Sequence, residues 1–255
     1  MDPTAPVADA ELGRRGFATG AGAYERGRPD YPAAAVDRIV DEAGLAPGRT
    51  VLDLAAGTGK LTRALVPTGA AVLAVEPSAD MRSIFRQAVP GVPVVGGTAE
   101  AVPLADATVD AVVVAQAFHW FRPQVALGEM ARVLVGGGTL ALVWNERDGS
   151  DPVMAELGRL SRWARCRPYP AGMDFGPVID ASGRYGAVTR MLVDYEETVD
   201  AGALVDQVAS RSYVQVMYEP ERRDLLASIG RFAATLGDRV VMKYRTDLFL
   251  ARSRT

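Results

Sequence analysis

Residues 51–62 read Val51-Leu52-Asp53-Leu54-Ala55-Ala56-Gly57-Thr58-Gly59-Lys60-Leu61-Thr62: an apolar run carrying one acid, a turn of small residues and two glycines, then the start of a helix-like stretch. A short strand that is apolar on both faces belongs in a parallel sheet covered from both sides. Glycines directly after it let the chain turn tightly into a helix and let a ligand approach the backbone at the strand's carboxyl end. The stretch therefore predicts the first strand–turn–helix unit of a doubly wound α/β fold, with a ligand site at the turn.

Outward from it the same alternation continues. Helices are predicted over residues 33–43, 60–66, 79–89 and 125–134, and buried strands over 50–54, 70–75, 92–95, 110–115 and 139–144. After Asn145 the character changes, because residues 148–184 are rich in Pro, Gly and Arg and read as an irregular, mainly helical insertion. Strands at 188–199 and 240–250 then flank helices at 203–216 and 220–236, which brings the expected sheet to seven strands, mostly parallel. The second half offers no strand set large enough for a core of its own, so the expected division is one domain with a cap. Its parts are an N-terminal segment 1–32, a binding core 33–147, a cap insertion 148–186, and a C-terminal part 187–255 that completes the sheet.

Composition excludes more than it identifies. The chain has 255 residues, 49% hydrophobic and 23% charged, the profile of an ordinary globular protein, and no internal repeat. Its formal net charge of −3 offers no basic footprint, so nucleic acid is not an expected partner. No apolar run approaches the ~20 residues that a membrane helix requires. The opening residues are polar and acidic, unlike a secretory leader, and predict a cytoplasmic protein. A lone Cys166 and a single histidine, His119, leave no disulfide, thiolate cluster or histidine metal site to build. The chain is read as a monomer or homodimer acting on a small molecule.

Three nucleotide classes compete for the glycine turn. A phosphate-binding P-loop requires Gly where Leu54 stands and Ser or Thr where Leu61 stands, so that reading fails. A dinucleotide fingerprint has Thr62 in its third glycine position and is weak. The third class explains more residues: Asp53 in the strand, a small-x-Gly-x-Gly turn, and a second acid, Glu76, at the tip of the next strand suit a nucleoside whose ribose hydroxyls need a carboxylate acceptor.

With these residues the chain resembles the class I S-adenosylmethionine-dependent methyltransferases, and within them the small-molecule branch that includes quinone-biosynthesis and trans-aconitate methyltransferase-like proteins. The resemblance spans residues 17–145. It implies that Asp53, Ala55, Gly57, Thr58 and Gly59 of VLDLAAGTGKLT line the methionine and ribose, and that Glu76 in VLAVEPSADM binds the ribose with Pro77 and Met81 near the adenine. In GGTAEAVPLADATVDAVVVAQAFHWF it implies Thr98, Ala99 and Glu100 at the adenine edge and Gln116 under the methionine end. The segment from Ala23 to Pro32 resembles one that folds over the cofactor, which brings Tyr24 and Arg28 to its carboxylate end. Two positions depart from the family pattern: Ala55 replaces the leading glycine, and Thr98 replaces an adenine-edge acid, whose contact is lost or passes to Glu100.

On this reading the cofactor is S-adenosyl-L-methionine, the reaction is an in-line methyl transfer to a metabolite or natural product, a carboxylate or a hydroxyl, and no metal is involved. Catalysis rests mainly on positioning, because the methyl group arrives already activated. Phe118, His119, Trp120 and Phe121 follow the fourth strand and are expected beside the acceptor, with His119 as general base or as pocket wall. Arg159, Arg162, Arg165 and Arg167 in the cap either clamp an acidic acceptor, with Arg165 as the candidate ligand, or form a solvated helix face. Two other functions compete: a non-catalytic protein that binds S-adenosylmethionine or S-adenosylhomocysteine, and an NAD-dependent oxidoreductase.

Overall fold

Seven strands form one sheet in the order β3-β2-β1-β4-β5-β7-β6. They are β1 (Thr50–Leu54), β2 (Ala71–Val75), β3 (Val94–Val95), β4 (Val109–Ala115), β5 (Leu134–Arg147), β6 (Thr189–Val199) and β7 (Val240–Arg252). Neighbours among β1 to β5 pair in parallel, and β7 runs antiparallel to both β5 and β6. The computed structural model describes residue 25, residues 27–163, 169 and 170, and 172–254.

Strand parity divides the core. Leu52 and Leu54, Val112 and Val114, Leu140 and Leu142 point to one face, where α4 (Pro123–Val133) covers them with Leu127 and Met130. Val51, Ala111 and Val113, Ala141 and Val143 point to the other, against α1 (Ala33–Ala43) and α2 (Lys60–Leu65). α3 (Ala79–Ala88) packs Phe85 over Ala74 nearer the edge. Burial of both faces is what the uninterrupted apolar strands require. The order reverses between β1 and β4, and a doubly wound sheet opens a crevice at that reversal, at its carboxyl edge.

The second half departs from expectation in two places. β5 is longer than residues 139–144: it begins at Leu134, shifts register across the glycines, with Gly137 at φ 74°, and continues to Arg147 because β7 pairs with it as far as Tyr244. The helix expected over 203–216 is two, α7 (Ala201–Ala209) and α8 (Ser212–Gln215), interrupted where the Ser210 hydroxyl bonds the Gln207 carbonyl and the Arg211 side chain turns inward. α5 (Pro152–Leu160), α6 (Gly176–Asp180) and α9 (Glu219–Thr235) complete the helices used below. Met154, Leu157, Leu204, Val208, Ile229 and Ala233 pack on Met242 and Tyr244 at the far end of β7, a hydrophobic cluster separate from those of the main sheet. No helix among the described residues is long and apolar enough to cross a membrane.

Candidate active site

The site is built on the tips of β1, β2 and β4. Beyond Leu54 the chain takes left-handed conformations at Ala55 (φ 59°), Gly57 (φ 59°) and Gly59 (φ 88°) before α2 begins. This turn presents the Gly57 N–H to the Glu76 carboxylate, which accepts it at 3.0 Å through Oε2 and accepts the Ser78 N–H at 2.8 Å through Oε1. Arg82 ties the same corner by donating to the Glu76 and Pro77 carbonyls at 2.7 and 2.9 Å. Burial pushes the Glu76 carboxyl above its ordinary value, against the pull of those two N–H groups and of Arg82. Each carboxylate oxygen uses one acceptor position on the backbone and retains another for a ligand.

Glu76 lines a cavity of about 430 Å³. Ala55, Gly57, Pro77 and Met81 share its wall with Glu76, Thr98, Ala99 and Glu100 form a second side, and Gln116 and Trp120 a third. One Glu100 oxygen is already committed to the Arg122 N–H, at 2.8 Å. Gln116 sits at φ 57°, and its amide donates to the Asn145 carbonyl at 3.1 Å, bridging the tips of β4 and β5. The cavity also takes in Phe121, which the sequence places with Trp120 beside the acceptor, and Ser78, Asp80 and Gly97, which sequence reasoning did not assign. Ser78 was legible as a helix cap, since its hydroxyl accepts the Met81 N–H at 3.3 Å. The exposed Asp80 carried no signal.

Other expected residues do not line the cavity. Asp53 has the parity of Val51, so it points under α2, fully buried, with one oxygen accepting the Thr62 hydroxyl at 2.5 Å and the other, Oδ1, buried without a hydrogen-bond partner among the described residues. Burial pushes its carboxyl up to about 7. Thr58 is buried as well. Gly59 answers to packing: a Cβ there would lie 2.5 Å from Val89 and 2.9 Å from Phe85. Ala55 meets more than a demand for small size, since its backbone is left-handed, where a Cβ is strained. Tyr24 and Arg165 lie outside the described residues, as does Arg167.

The aromatic run divides by direction. Phe118 is buried in the core, edge-on to Phe121 and Phe175, and is not a cavity wall. His119 stands between Trp120 and Tyr169, with ring centroids 4.7 and 4.4 Å away, and its Nδ1 accepts the Trp144 indole N–H at 3.3 Å. A neutral imidazole has one acceptor nitrogen, so this bond assigns the ring proton to Nε2. The nitrogen a general base would use is occupied. Arg159 is on an exposed face, paired with Glu156 at 2.5 Å.

A doubly wound sheet with an anchored acid at the second strand tip, beside a glycine turn at the switch point, defines the nucleoside-binding class of α/β proteins. Residues 52–142 match the family model described as a methyltransferase domain. An uncharacterized methyltransferase of Mycobacterium tuberculosis is 42% identical over 222 residues, 86% of each chain. A demethylmenaquinone methyltransferase of Renibacterium salmoninarum is 36% identical over 105 residues, 41% of this chain and 44% of that one. Among solved structures, the YcgJ protein of Bacillus subtilis shares the fold, with a TM-score of 0.56 at 19% identity over 87% of this chain and 99% of that one. The chain belongs to the class I S-adenosylmethionine-dependent methyltransferases.

Proposed function

We propose that this enzyme transfers a methyl group from S-adenosylmethionine to a small-molecule acceptor. The observation that carries the reading is Glu76: a buried carboxylate, held by two backbone N–H groups and lining a cavity of nucleoside size, suits two adjacent ribose hydroxyls. Pro77, Met81, Thr98 and Ala99 would enclose the adenine, and Ala55, Gly57 and Gln116 the amino-acid end. When bound, the cofactor supplies a methyl group activated by a sulfonium.

The protein's own contribution is placement and exclusion of water. Trp120 and Phe121 wall the cavity beyond Gln116, and Trp144 fixes His119 behind them. With Nδ1 of His119 accepting from Trp144, His119 orders the aromatic wall and does not take the acceptor's proton. The acceptor atom therefore arrives with a lone pair ready and without its proton, or releases that proton to solvent. The similarity to a demethylmenaquinone methyltransferase favours a small molecule over a macromolecule.

Calorimetric titration tests the site. S-adenosylhomocysteine is expected to bind and NADH not to, and Glu76→Ala is expected to weaken S-adenosylhomocysteine about tenfold or more, the scale of losing charge-assisted hydrogen bonds. Tight NADH binding with no S-adenosylhomocysteine binding would overturn the reading. Cofactor binding without methyl transfer to any compound in a broad acceptor panel would leave a binding protein in place of an enzyme acting on small molecules.

A further inference from the structure

β5 carries the sheet past the cavity to a cluster of guanidinium groups. Asn145 and Arg147 share one face of the strand, opposite Thr246 and Tyr244 of β7. Tyr244 stacks on Tyr195 at 5.2 Å between centroids and donates to the Gln207 side chain at 2.7 Å. From above, the break between α7 and α8 sends Arg211 inward, 9% exposed, with its guanidinium 4.3 Å from the centroid of Trp163. Nε and Nη2 of Arg147 and Nε of Arg211 are buried and meet no hydrogen-bond acceptor among the described residues. Arg28 follows Gly27, whose missing side chain lets it pack against the α7 backbone at Asp206 and Gln207. Burial, together with repulsion from Arg28, lowers both Arg147 and Arg211 from their ordinary values. Glu197, held by the Gln207 amide at 3.5 Å, acts on Tyr244 at this face.

Buried cations without a counter-ion are costly, and a fork of N–H donors is shaped for a carboxylate or a phosphate. The position gives that shape a use. Arg147 is two residues, about 7 Å of strand, beyond Asn145, whose carbonyl accepts the Gln116 amide on the cavity wall. That carboxyl edge of the sheet is where an acceptor must approach the methyl group. We propose that Arg147 and Arg211, with Arg28 beside them, form the anchoring subsite for an oxyanion group of the acceptor, so that the enzyme methylates acidic small molecules. This proposal rests on the methyltransferase reading above.

The test titrates the full-length protein, first with S-adenosylhomocysteine and then, in the same cell, with tricarballylate or inorganic phosphate at constant ionic strength held by chloride. Saturable binding of one of these anions is expected. Arg147→Met and Arg211→Met are each expected to weaken it about tenfold or more while S-adenosylhomocysteine affinity is retained, and Arg211→Lys, which keeps the charge but not the fork, to fall between. Binding of phosphate alone assigns a phosphoryl-bearing acceptor, and binding of tricarballylate alone a carboxylate. No saturable binding of either anion, or binding that survives both Met substitutions, overturns the proposal. Without anion, the melting temperature of each Met variant is expected to be unchanged or higher, because an unpaired buried charge is gone; a fall in both marks the arginines as structural and also overturns it. Failure of S-adenosylhomocysteine to bind the unsubstituted protein sinks the methyltransferase reading instead, and is seen before any anion is added.

Discussion

Asp53 places its carboxyl fully buried beneath the turn, and its titration follows from that. Its carboxyl lies near pH 7 in the folded protein and near 3.8 when free, so between those values the folded state holds a proton that the unfolded state has released. Stability therefore falls as pH rises through this window, by up to about 1.4 kcal/mol per pH unit, and levels off above it. Asp53→Asn mimics the protonated form and still accepts from Thr62. It is expected to match the native protein near pH 4.5 and to exceed it at pH 8 in urea unfolding without cofactor. A native protein that gains stability relative to Asp53→Asn as pH rises from 4.5 to 8 would contradict the assignment. The acids themselves were legible in the sequence, Glu76 by its place at a strand tip and Asp53 by the glycines beyond it. Their different directions were not, because one position of strand parity separates a side chain at the cavity from one beneath α2.

At the scale of elements, the turn and helix α2 depend on a contact that no local pattern announces. Gly59 starts α2 with φ 88° and lies against Val89 and Phe85, at the end of α3. Gly59→Ala adds backbone strain and an overlap with the buried Val89 and Phe85 side chains, and is expected to cost about 2–4 kcal/mol. Chemical denaturation checks the stability, and S-adenosylhomocysteine titration checks whether the turn still forms. A loss below 1 kcal/mol would mean that α3 moves aside. α1 and β1 lie where periodicity and turn residues put them, since each is decided by its own side chains. The break at Ser210 and Arg211 was missed because the apolar spacing runs on through it, and only the aromatic ring of Trp163 and the cluster below draw Arg211 out of the helix. β5 outran its expected ends for a related reason: pairing with β7 extends a strand beyond its apolar stretch.

Across the whole molecule, the helices α5, α7 and α9 share a hydrophobic cluster with the far ends of β6 and β7 and little with the centre of the sheet. Native-state hydrogen exchange is expected to show amides of α5 and α9 opening at lower free energy than those of β1 and β4, in a sub-global step that leaves the main sheet folded. Merging of all these amides onto one global unfolding line in low denaturant would refute it. S-adenosylhomocysteine is expected to protect the tips of β1 and β2 more than α9, because Glu76 and Gly57 are far along the sheet order from β7.

The alternation of apolar strands and helices, the glycine turn and the acid at the second strand tip were readable from residues alone, and with them the doubly wound sheet and the family. Those features are local: a few neighbouring residues decide each of them by sterics and burial. The gathering of Arg28, Arg147 and Arg211, far apart in the chain, depends on β7 entering the sheet antiparallel between β5 and β6. So does the capture of His119 Nδ1 by Trp144 depend on β5 lying beside β4. Against a background of 26 arginines the buried ones carried no mark in the sequence. What singles out Arg147 and Arg211 is that buried guanidinium nitrogens meet no hydrogen-bond acceptor among the described residues, and only the packed chain defines that.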